Sequence, residues 1–317
     1  MIAAVDNPPA SAWTRRDLAL LASAAACWGL GTVVSKHAID EIPPLALFPI
    51  QLTASVVAIA LLMRRSGLSL RGSPPLLARL GILNPGLAYA LGLLGLTFIP
   101  ASLYVLLWAL EPLLITGLAA VFLGERITGR FVLLSVLAAG GVGLVVYEPA
   151  SSGQWPGVLL VLAGVVCCAA YTVVARRWVA TSDSTAQVVL AQQAYALAFA
   201  VAIALAAVAL GGNLRLTQVS PGALVAAVAS GLLYYAGAYW FYLSALRRVP
   251  ASLAATSFYL IPVFGLAASF ALLGERLGPA EWFGVAVVVL AIVSIIRLPD
   301  RGRRPLVADE SRQVTQP

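Results

Sequence analysis

The chain has 317 residues, of which 61% are hydrophobic and 10% are charged. Soluble domains contain roughly 45–50% apolar and about 25% charged residues, so this composition excludes soluble enzymes, nucleic-acid-binding modules, disordered chains and coiled coils. A chain this apolar uses lipid as its main solvent. Its net charge of +7 therefore indicates orientation in a membrane rather than a nucleic-acid partner.

Ten apolar runs are long enough to cross a bilayer, since a helix needs about 20 apolar residues to span roughly 30 Å of hydrocarbon. Arg, Pro, Gly or acidic residues bound each run, and the links are short. The runs cover 17–37, 44–63, 76–97, 100–123, 130–148, 156–175, 187–210, 221–246, 251–273 and 280–298. This pattern predicts an all-α integral membrane protein with ten transmembrane helices and polar tails at 1–16 and 299–317.

Basic residues are distributed unevenly among the tails and links. With the N-terminus in the cytoplasm, seventeen of the 20 Lys and Arg residues fall on the cytoplasmic side, and only Lys36, Arg215 and Arg276 fall outside. Segments on the cytoplasmic side of membrane helices carry the excess of Lys and Arg. We therefore expect both termini to be cytoplasmic.

The two halves of the chain share a pattern at a constant offset of 150 residues. The matching pairs are Tyr89 and Tyr239, Pro100-Ala101-Ser102-Leu103 and Pro250-Ala251-Ser252-Leu253, Pro112 and Pro262, and Gly124-Glu125-Arg126 and Gly274-Glu275-Arg276. We predict two five-helix repeats, at 17–148 and 156–298, joined by an outer linker at 149–155. Because five is an odd number, the second repeat is inverted in the membrane, as in alternating-access transporters.

Several of these motifs are similar to those of one family. They are Trp28-Gly29 with Lys36, Pro100-Ala101-Ser102, Glu111-Pro112, Leu123-Gly124-Glu125-Arg126 with Thr128, Ala170-Tyr171-Thr172 with Arg176-Arg177, and Pro262 with Leu273-Gly274-Glu275-Arg276. The chain resembles the EamA family of the drug/metabolite transporter superfamily. This resemblance implies a ten-helix carrier of the bacterial inner membrane that exports amino acids, other small metabolites or drugs. Gln51 departs from the pattern, since many relatives carry Arg at that position.

Glu111 is the sharpest candidate for a transport residue. It lies near the middle of the fourth run, where a charge costs at least about 2.5–3.5 kcal/mol. Pro112 follows it and removes a backbone donor, which loosens the helix there. We expect Glu111 to be protonated or held by hydroxyl or indole donors. It either binds a substrate amine, carries a coupling proton, or is a neutral residue bonded to a neighbouring helix.

Lys36 is the second candidate, because a basic residue on the outer side opposes the orientation rule. It lies at the outer end of the first run, too far from the midplane to neutralise Glu111. Three roles remain open. Lys36 pairs with Glu148, Asp40 or Glu41 as a gate, meets a substrate carboxylate, or snorkels to the headgroups.

Aromatic and amide residues occur in the middle of several runs, where interfacial belts do not explain them. Some are packing residues, and those lining a cavity supply apolar walls with a few polar groups. The candidates are Trp28, Asn84, Tyr89, Tyr104, Trp108, Tyr171, Gln193, Tyr235, Tyr239 and Tyr259. Helix breaks or hinges are expected at Gly29, Pro85, Pro112 and Pro262.

The two Gly-Glu-Arg segments each end a helix, so we expect the Gly to permit the turn and the Glu to cap the helix that follows. The alternative is a hinge latch, since the two copies are expected on opposite faces of the membrane. The three cysteines lie in apolar runs without metal-site spacing and are interpreted as buried hydrophobic residues.

The leading interpretation is a secondary carrier that exports a small amphipathic metabolite. The alternatives are an uptake carrier or facilitator and, in other classes, an intramembrane enzyme or a structural membrane protein. The sequence has no Walker motif, and its one histidine lies at an outer helix end, so no enzyme activity, cofactor or metal is expected. The expected partners are a small-molecule substrate and the lipid bilayer, with no nucleic acid, and the chain is a monomer or a homodimer.

Overall fold

A computed structural model describes residues 14–67, 75–123, 153–179, 185–212, 219–246 and 257–296, together with isolated positions between these ranges. Within those ranges the chain forms helices and turns, with no strand. Most of the predicted fifth run, nearly all of both predicted tails, the Pro250–Leu253 motif and the first Gly-Glu-Arg segment lie outside the described residues.

The first repeat begins with α1 (Arg15–Ile39) and α2 (Pro44–Arg65). Thr14 and Asp17 cap α1 reciprocally, each side chain accepting a hydrogen bond from the other's backbone N–H. Helix α3 covers Pro75–Leu96 and contains a π-helical turn at Leu83–Leu87. Two half-helices, α4 (Ala101–Trp108) and α5 (Glu111–Leu123), occupy the predicted fourth run.

The second repeat begins with α6 (Trp155–Val179) and α7 (Thr185–Ala209). Helix α8 consists of Pro221–Gly231, a π-helical turn at Leu232–Gly237, and Ala238–Leu246. Helix α9 (Ile261–Ala268) follows a 3₁₀ turn at Ser257–Leu260 and continues as a π-helical turn at Ser269–Leu273. Helix α10 covers Pro279–Ile296.

Within the described ranges, five helices have the length and apolar composition to cross a membrane, namely α1, α2, α3, α7 and α8. Shorter apolar helices lie at Ala101–Ile115, Trp155–Tyr171, Ile261–Leu273 and Trp282–Ala291. Large hydrophobic side chains remain exposed along these helices, as lipid contact requires. The predicted all-helical, multi-pass membrane fold is confirmed. The number of ten helices and the cytoplasmic position of the termini stay predictions.

The two repeats interlock. Helix α1 of the first repeat packs against α8 and α9 of the second, and its equivalent α6 packs against α3 and α5 of the first. Each repeat thus supplies part of the other's surroundings. A site at the centre of the bundle is therefore built from both repeats.

Two equivalent glycines allow close helix crossings between the repeats. A Cβ atom on Gly231 of α8 would lie 2.5 Å from the carbonyl oxygen of Gln51 in α2. A Cβ atom on Gly81 of α3 would collide with the carbonyl oxygen of Gln192 in α7. Because Gly81 and Gly231 are 150 residues apart, the sequence repeat reappears as a repeated helix contact.

Candidate substrate-binding site

Glu111 lies where the fourth helix is broken. Helix α4 ends at Trp108, the backbone N–H groups of Ala109 and Leu110 close its last turn, and α5 starts at Glu111. Pro112 has no N–H and is favourable in the first turn of a new helix. The Glu111 carboxylate therefore occupies the N-terminal turn of a half-helix, where the helix dipole favours negative charge.

The Glu111 carboxylate is bound by a cysteine. The Cys168 thiol of α6 donates a hydrogen bond of 3.0 Å to Glu111 Oε1. Tyr89, Tyr239 and Tyr242 lie within electrostatic range of the carboxylate. Among the described residues, no Lys, Arg or His interacts with Glu111 in this way. Its negative charge thus has no counter-charge in this part of the chain.

The repeat-related residues Tyr89 and Tyr239 meet at the centre of the bundle. Their hydroxyl groups lie 3.4 Å apart, and either can be the donor. Inverted repeats, as predicted from the sequence, would be related by a pseudo-two-fold axis, and equivalent residues approach each other only close to such an axis. The tyrosine pair lies where the two repeats meet, within electrostatic range of Glu111.

Aromatic rings form two groups on either side of this tyrosine pair. Trp28 contacts Tyr239, Tyr242 and Phe258 edge-on, with ring centroids 5.4–5.8 Å apart. Tyr89 contacts a second group of rings at 5.3–5.6 Å, consisting of Trp108, Tyr234 and Tyr235. Tyr104 joins the second group through Trp108 at 6.0 Å. Edge-to-face packing of this kind gives the site rigid apolar walls.

A small cavity lies beside the second group of rings. Its lining comes from α1, α2, α3, α4 and α8 and consists of Thr32, Ser35, Gln51, Tyr89, Leu93, Leu96, Tyr104, Tyr234 and Tyr235. The centre of a water molecule can move within about 10 Å³ of it, which is room for about one water. In this conformation the cavity is too small for any metabolite.

Buried polar groups around the cavity are only partly paired. Gln51 Nε2 donates to Ser35 Oγ at 2.8 Å and to Ser230 Oγ at 2.7 Å. Gln51 Oε1 and Trp28 Nε1 have no hydrogen-bond partner among the described residues. The Trp108 indole N–H lies beside the Tyr104 hydroxyl but outside hydrogen-bonding geometry. Unpaired buried polar atoms cost about 1–3 kcal/mol each, so a polar ligand is stabilised here.

The remaining amide and tyrosine candidates are committed to helix contacts. Gln193 accepts from Ser55 Oγ at 2.6 Å and donates to the Tyr235 carbonyl oxygen at 3.2 Å. Tyr171 donates to Gln192 Oε1 at 2.9 Å. These bonds tie α7 to α2, α6 and α8, away from the cavity wall. The side chain of Tyr259 lies outside the described residues.

Asn84 and the predicted hinge residues have different surroundings. Asn84 has non-helical backbone angles (φ −144°, ψ 121°) and a cis bond to Pro85, within the π-helical turn that packs against α6 and α7. Its Oδ1 is buried without a partner among the described residues. Helix α1 is continuous through Gly29, which instead lets α9 approach closely, since a Cβ there would meet Gly265 N at 2.7 Å. Pro262 is buried at the start of α9.

Lys36 and Glu275 both bind the turn between α3 and α4, residues 97–100. Lys36 Nζ donates to the carbonyl oxygens of Leu96 at 2.7 Å and Ile99 at 2.9 Å. Glu275 accepts from the backbone N–H groups of Ala101 at 2.8 Å and Ser102 at 2.9 Å. Lys36 thus donates its hydrogen bonds to backbone carbonyls, and Asp40 and Glu275 lie within electrostatic range of it. The expected roles were an acidic gate, contact with a substrate carboxylate and snorkelling to the headgroups. We call Lys36 and Glu275 the clamp and residues 97–100 the α3–α4 turn.

The second Gly-Glu-Arg segment has one of the two features that were predicted from the sequence. Gly274 has φ +67° and ends the preceding helix in the left-handed conformation. The prediction that Glu275 caps the following helix is wrong, because its carboxylate caps α4 of the other repeat. No group of three or more metal-ligating side chains occurs within the described part of the chain.

Comparison with known proteins decides the family. The model of the EamA-like transporter family matches residues 16–147 and, a second time, residues 155–297. The chain belongs to this family. The predicted family and the two repeats are thereby confirmed, and membership makes the protein a membrane transporter by family.

Related proteins are known by sequence and by structure. The EamA-like chain is 27% identical over 285 residues to an uncharacterized transporter of Archaeoglobus fulgidus, covering 88% of this chain and 98% of that protein. It is 30% identical over 175 residues to the uncharacterized transporter YvbV of Bacillus subtilis (strain 168), covering 53% of this chain and 56% of that protein. A solved crystal structure superposes with a TM-score of 0.64 at 20% identity, over 88% of this chain and 96% of that one. The structural likeness establishes the fold.

Three residues of this EamA-like site were not among the sequence candidates. Cys168 was interpreted as a hydrophobic residue, Gln51 only as a departure from the family pattern, and Glu275 as a local cap or as part of a hinge latch. No sequence signal marks Cys168, because its role depends on Glu111 in another helix. For Glu275 the sequence did contain a signal. The Gly-Glu-Arg and Pro-Ala-Ser motifs repeat at the same offset, as expected of two motifs that contact each other.

Proposed function

We propose that the protein is a secondary transporter that exports amino acids or other small amphipathic metabolites by alternating access. The family supports membrane transport. The uneven distribution of basic residues supports inverted repeats with both termini in the cytoplasm of a bacterial cell. The observation that carries the proposal is Glu111, a carboxylate without a counter-charge among the described residues, at a helix break beside the Tyr89–Tyr239 pair.

A carboxylate in a membrane bundle is expensive and is characteristic of substrate and proton pathways. Among the described residues, the donor that holds Glu111 is the weak thiol of Cys168. A substrate ammonium group or a proton supplies the missing positive charge. Transporters commonly place such sites at discontinuous helices near the interface of two repeats, and the break between α4 and α5 is of this kind.

The cavity, which Gln51 lines, and the aromatic group around Trp28 lie on either side of the Tyr89–Tyr239 pair, and together they suit an amphipathic molecule with both polar donors and acceptors. The unpaired Trp28 N–H suits a substrate carboxylate or carbonyl oxygen, and Gln51 Oε1 suits a donor. The rings around Trp28 and Tyr89 suit an apolar body. Lys36 is bound to backbone carbonyls. A substrate with a carboxylate and no amine therefore has no positively charged partner among the described residues of this site.

Alternating access requires the two repeats to move. The cavity holds about one water in this conformation, so a substrate enters only when helices of the two repeats separate. Interlocked packing of α1 with α8 and α9, and of α6 with α3 and α5, lets one rocking motion close one side while it opens the other.

Flux measurements with the purified chain in liposomes test this function. The panel pairs each labelled amino acid with the amine and the acid that share its side chain. We expect saturable flux of compounds with an amine and an apolar body, and none of the matched acids. Liposomes with heat-denatured protein give the background. Flux no higher than this background for every member of the panel would show that the proposed function is wrong.

Everted membrane vesicles test the direction of transport. An exporter accumulates substrate in everted vesicles when a proton gradient is imposed, and the accumulation disappears when the gradient is collapsed. Accumulation only in right-side-out vesicles would instead make the protein an uptake carrier.

A further inference from the structure

The clamp binds one short turn from two repeats. Lys36 belongs to the first repeat and holds the carbonyl oxygens of Leu96 and Ile99, at the end of α3. Glu275 belongs to the second repeat and holds the N–H groups of Ala101 and Ser102, at the start of α4. The α3–α4 turn is therefore fixed on both sides by charged groups that reach it from elsewhere in the fold.

The charges of the clamp match the ends of the helices that they bind. The C-terminus of a helix carries partial negative charge and exposes carbonyl oxygens, which a lysine ammonium group satisfies. The N-terminus carries partial positive charge and exposes N–H groups, which a carboxylate satisfies. Lys36 and Glu275 also lie within electrostatic range of each other. Four charge-assisted hydrogen bonds thus hold the α3–α4 turn and the two helix ends that flank it, at Leu96, Ile99, Ala101 and Ser102.

The clamp lies over one end of the cavity. Leu96, whose carbonyl oxygen accepts from Lys36, lines the cavity itself, and Tyr104 lines it from the first turn of α4. Ser35 lines the cavity from α1, next to Lys36 in the chain. Access to the cavity from this end therefore requires the α3–α4 turn to move, and the turn moves only when clamp bonds break.

We propose that Lys36 and Glu275 form the outer gate of the transporter: bound to the α3–α4 turn they close the outer end of the cavity, and their release opens it. This gate rests on the proposed alternating-access function. Glu275 leaves the turn when the second repeat rocks away from it, and α1, which packs against α8 and α9 of the second repeat, carries Lys36 in the same direction. Neither residue needs to touch the substrate.

A cysteine at the cavity wall reports whether the gate is open. Ser35→Cys is a near-isosteric change at a buried position on α1. Its labelling by a membrane-impermeant maleimide, added from outside to intact cells without substrate, measures outer access. The native chain has three cysteines, so labelling of the parent chain is subtracted.

Removing either half of the clamp is expected to increase labelling of Ser35→Cys. Lys36→Met removes the ammonium group and keeps the length of the side chain, and Glu275→Gln removes only the charge. A hydrogen bond to a charged group contributes at least about 1.4 kcal/mol. Its loss changes the ratio of the open to the closed state about tenfold. We therefore expect labelling to rise about tenfold with each substitution, while Lys36→Arg retains the slow labelling of the parent.

Neighbouring charges provide matched controls. His37→Gln changes the residue after Lys36, and Arg276→Gln changes the residue after Glu275. Arg276 lies 3.9 Å over the ring of Phe270 in its own repeat and also donates to that residue's carbonyl oxygen, so its loss leaves the clamp intact. Both control variants are expected to label like the parent.

The outcomes separate the gate from the proposed function. If Lys36→Met and Glu275→Gln both elute as folded protein in detergent but label no faster than the parent, the gate is wrong, even when liposome flux is normal. If labelling rises only when the reagent is added to the cytoplasmic face, the assignment to the outer side is wrong. If labelling rises from outside but no compound is transported, the clamp stands and the proposed function fails.

Discussion

Within the described part of the chain, Glu111 is a carboxylate held by a thiol inside a membrane bundle, and its side chain is a direct target for substitution. Glu111→Gln keeps the shape of the side chain and removes its charge. Since interactions with charged groups contribute about 1.5–3 kcal/mol, we expect the rate of amine-substrate flux in liposomes to fall at least about tenfold and its dependence on pH to flatten.

Cys168→Ala is the control for Glu111→Gln. It removes the thiol donor at 3.0 Å and leaves the carboxylate in place, so we expect a smaller loss of flux with the pH dependence retained. A Glu111→Gln variant with the parent's rate and the parent's pH dependence would exclude Glu111 from substrate binding and from proton coupling.

A second carboxylate outside the membrane-spanning segments contributes to stability in a pH-dependent way. Glu41 accepts hydrogen bonds from the backbone N–H of Ser220 at 2.6 Å and from its hydroxyl at 2.8 Å. These bonds lower the pKa of Glu41 below the ordinary value of 4.5. Because the folded pKa is lowered, the stabilisation is present above pH 4.5 and is lost as the pH falls through the folded value.

Melting curves of the parent and of Glu41→Gln in detergent check this at several pH values. The parent is expected to melt a few degrees at most above the variant at pH 7, and the two are expected to converge below pH 4.5. A difference in melting temperature that stays constant down to pH 3 would contradict the assigned cause.

The sequence predicted individual residues better than it predicted their partners. Glu111 and Lys36 were identified because their charges are unexplained by topology, and that argument needs no structure. Their partners are a thiol in another helix and two backbone carbonyl oxygens. Backbone carbonyls are present at every residue, so no side-chain pattern marks them, and the sequence argument looked for acidic partners instead.

At the scale of helices, the backbone is irregular near some of the prolines at which breaks were predicted, while a hinge role at these positions stays a prediction. The break between α4 and α5 follows from Pro112, and the irregular turn in α3 follows from Asn84-Pro85-Gly86. The equivalent π-helical turn in α8, Leu232–Gly237, contains no proline and was not predicted. Gly29 was expected to be a hinge. Glycine permits both a flexible backbone and close helix packing, and the sequence does not show whether another helix packs against it.

The helix crossings at Gly81 and Gly231 lead to a stability prediction. A Cβ atom at Gly231 would lie 2.5 Å from the Gln51 carbonyl oxygen, so Gly231→Ala must push α8 away from α2. Overpacking of this kind costs about 1–3 kcal/mol. We expect Gly231→Ala and Gly81→Ala each to lower the melting temperature in detergent by several degrees.

Gly222→Ala is the matched control, in the same helix α8. The nearest atom to a Cβ there is Ser220 Oγ at 3.7 Å, which is ordinary contact, and alanine favours helix over glycine by about 1 kcal/mol. Its melting temperature is expected to equal or exceed that of the parent. If Gly231→Ala melted like Gly222→Ala, close packing of α8 on α2 would be disproved.

At the scale of the whole molecule, the repeat found in the sequence explains the contacts that the structure adds. Tyr89 meets Tyr239, Gly81 and Gly231 make equivalent crossings, and Glu275 binds α4 of the first repeat. A repeat at a fixed offset indicates two similar units but not whether they lie side by side or interlock. Interlocking is a property of helix packing between distant segments, so it needed the structure.

Inversion of the second repeat is the prediction that belongs to the whole chain. With five helices in the first repeat, the segment near Gly153 lies outside the membrane and both termini lie inside. Gly153 occupies an open turn in which a Cβ would meet nothing within 4 Å, so an insertion there is tolerated. Alkaline phosphatase inserted after Gly153 of the full chain is expected to be active, and green fluorescent protein at the C-terminus is expected to fluoresce.

Exchanging the two reporters is the control, because phosphatase folds only outside the inner membrane and exported green fluorescent protein stays dark. The exchanged fusions are expected to give neither signal. Phosphatase activity at both positions would place Gly153 and the C-terminus on the same side of the membrane, which requires an even number of helices in the second repeat, so that repeat would not be inverted. The gate assigned to Lys36 and Glu275 would then lose its outer location, because Glu275 precedes the last helix and would lie on the cytoplasmic side. The clamp bonds of 2.7–2.9 Å require only that Lys36 and Glu275 lie on one side of the membrane, which two equal repeats satisfy whether they are inverted or parallel, so the reporters are the test of inversion.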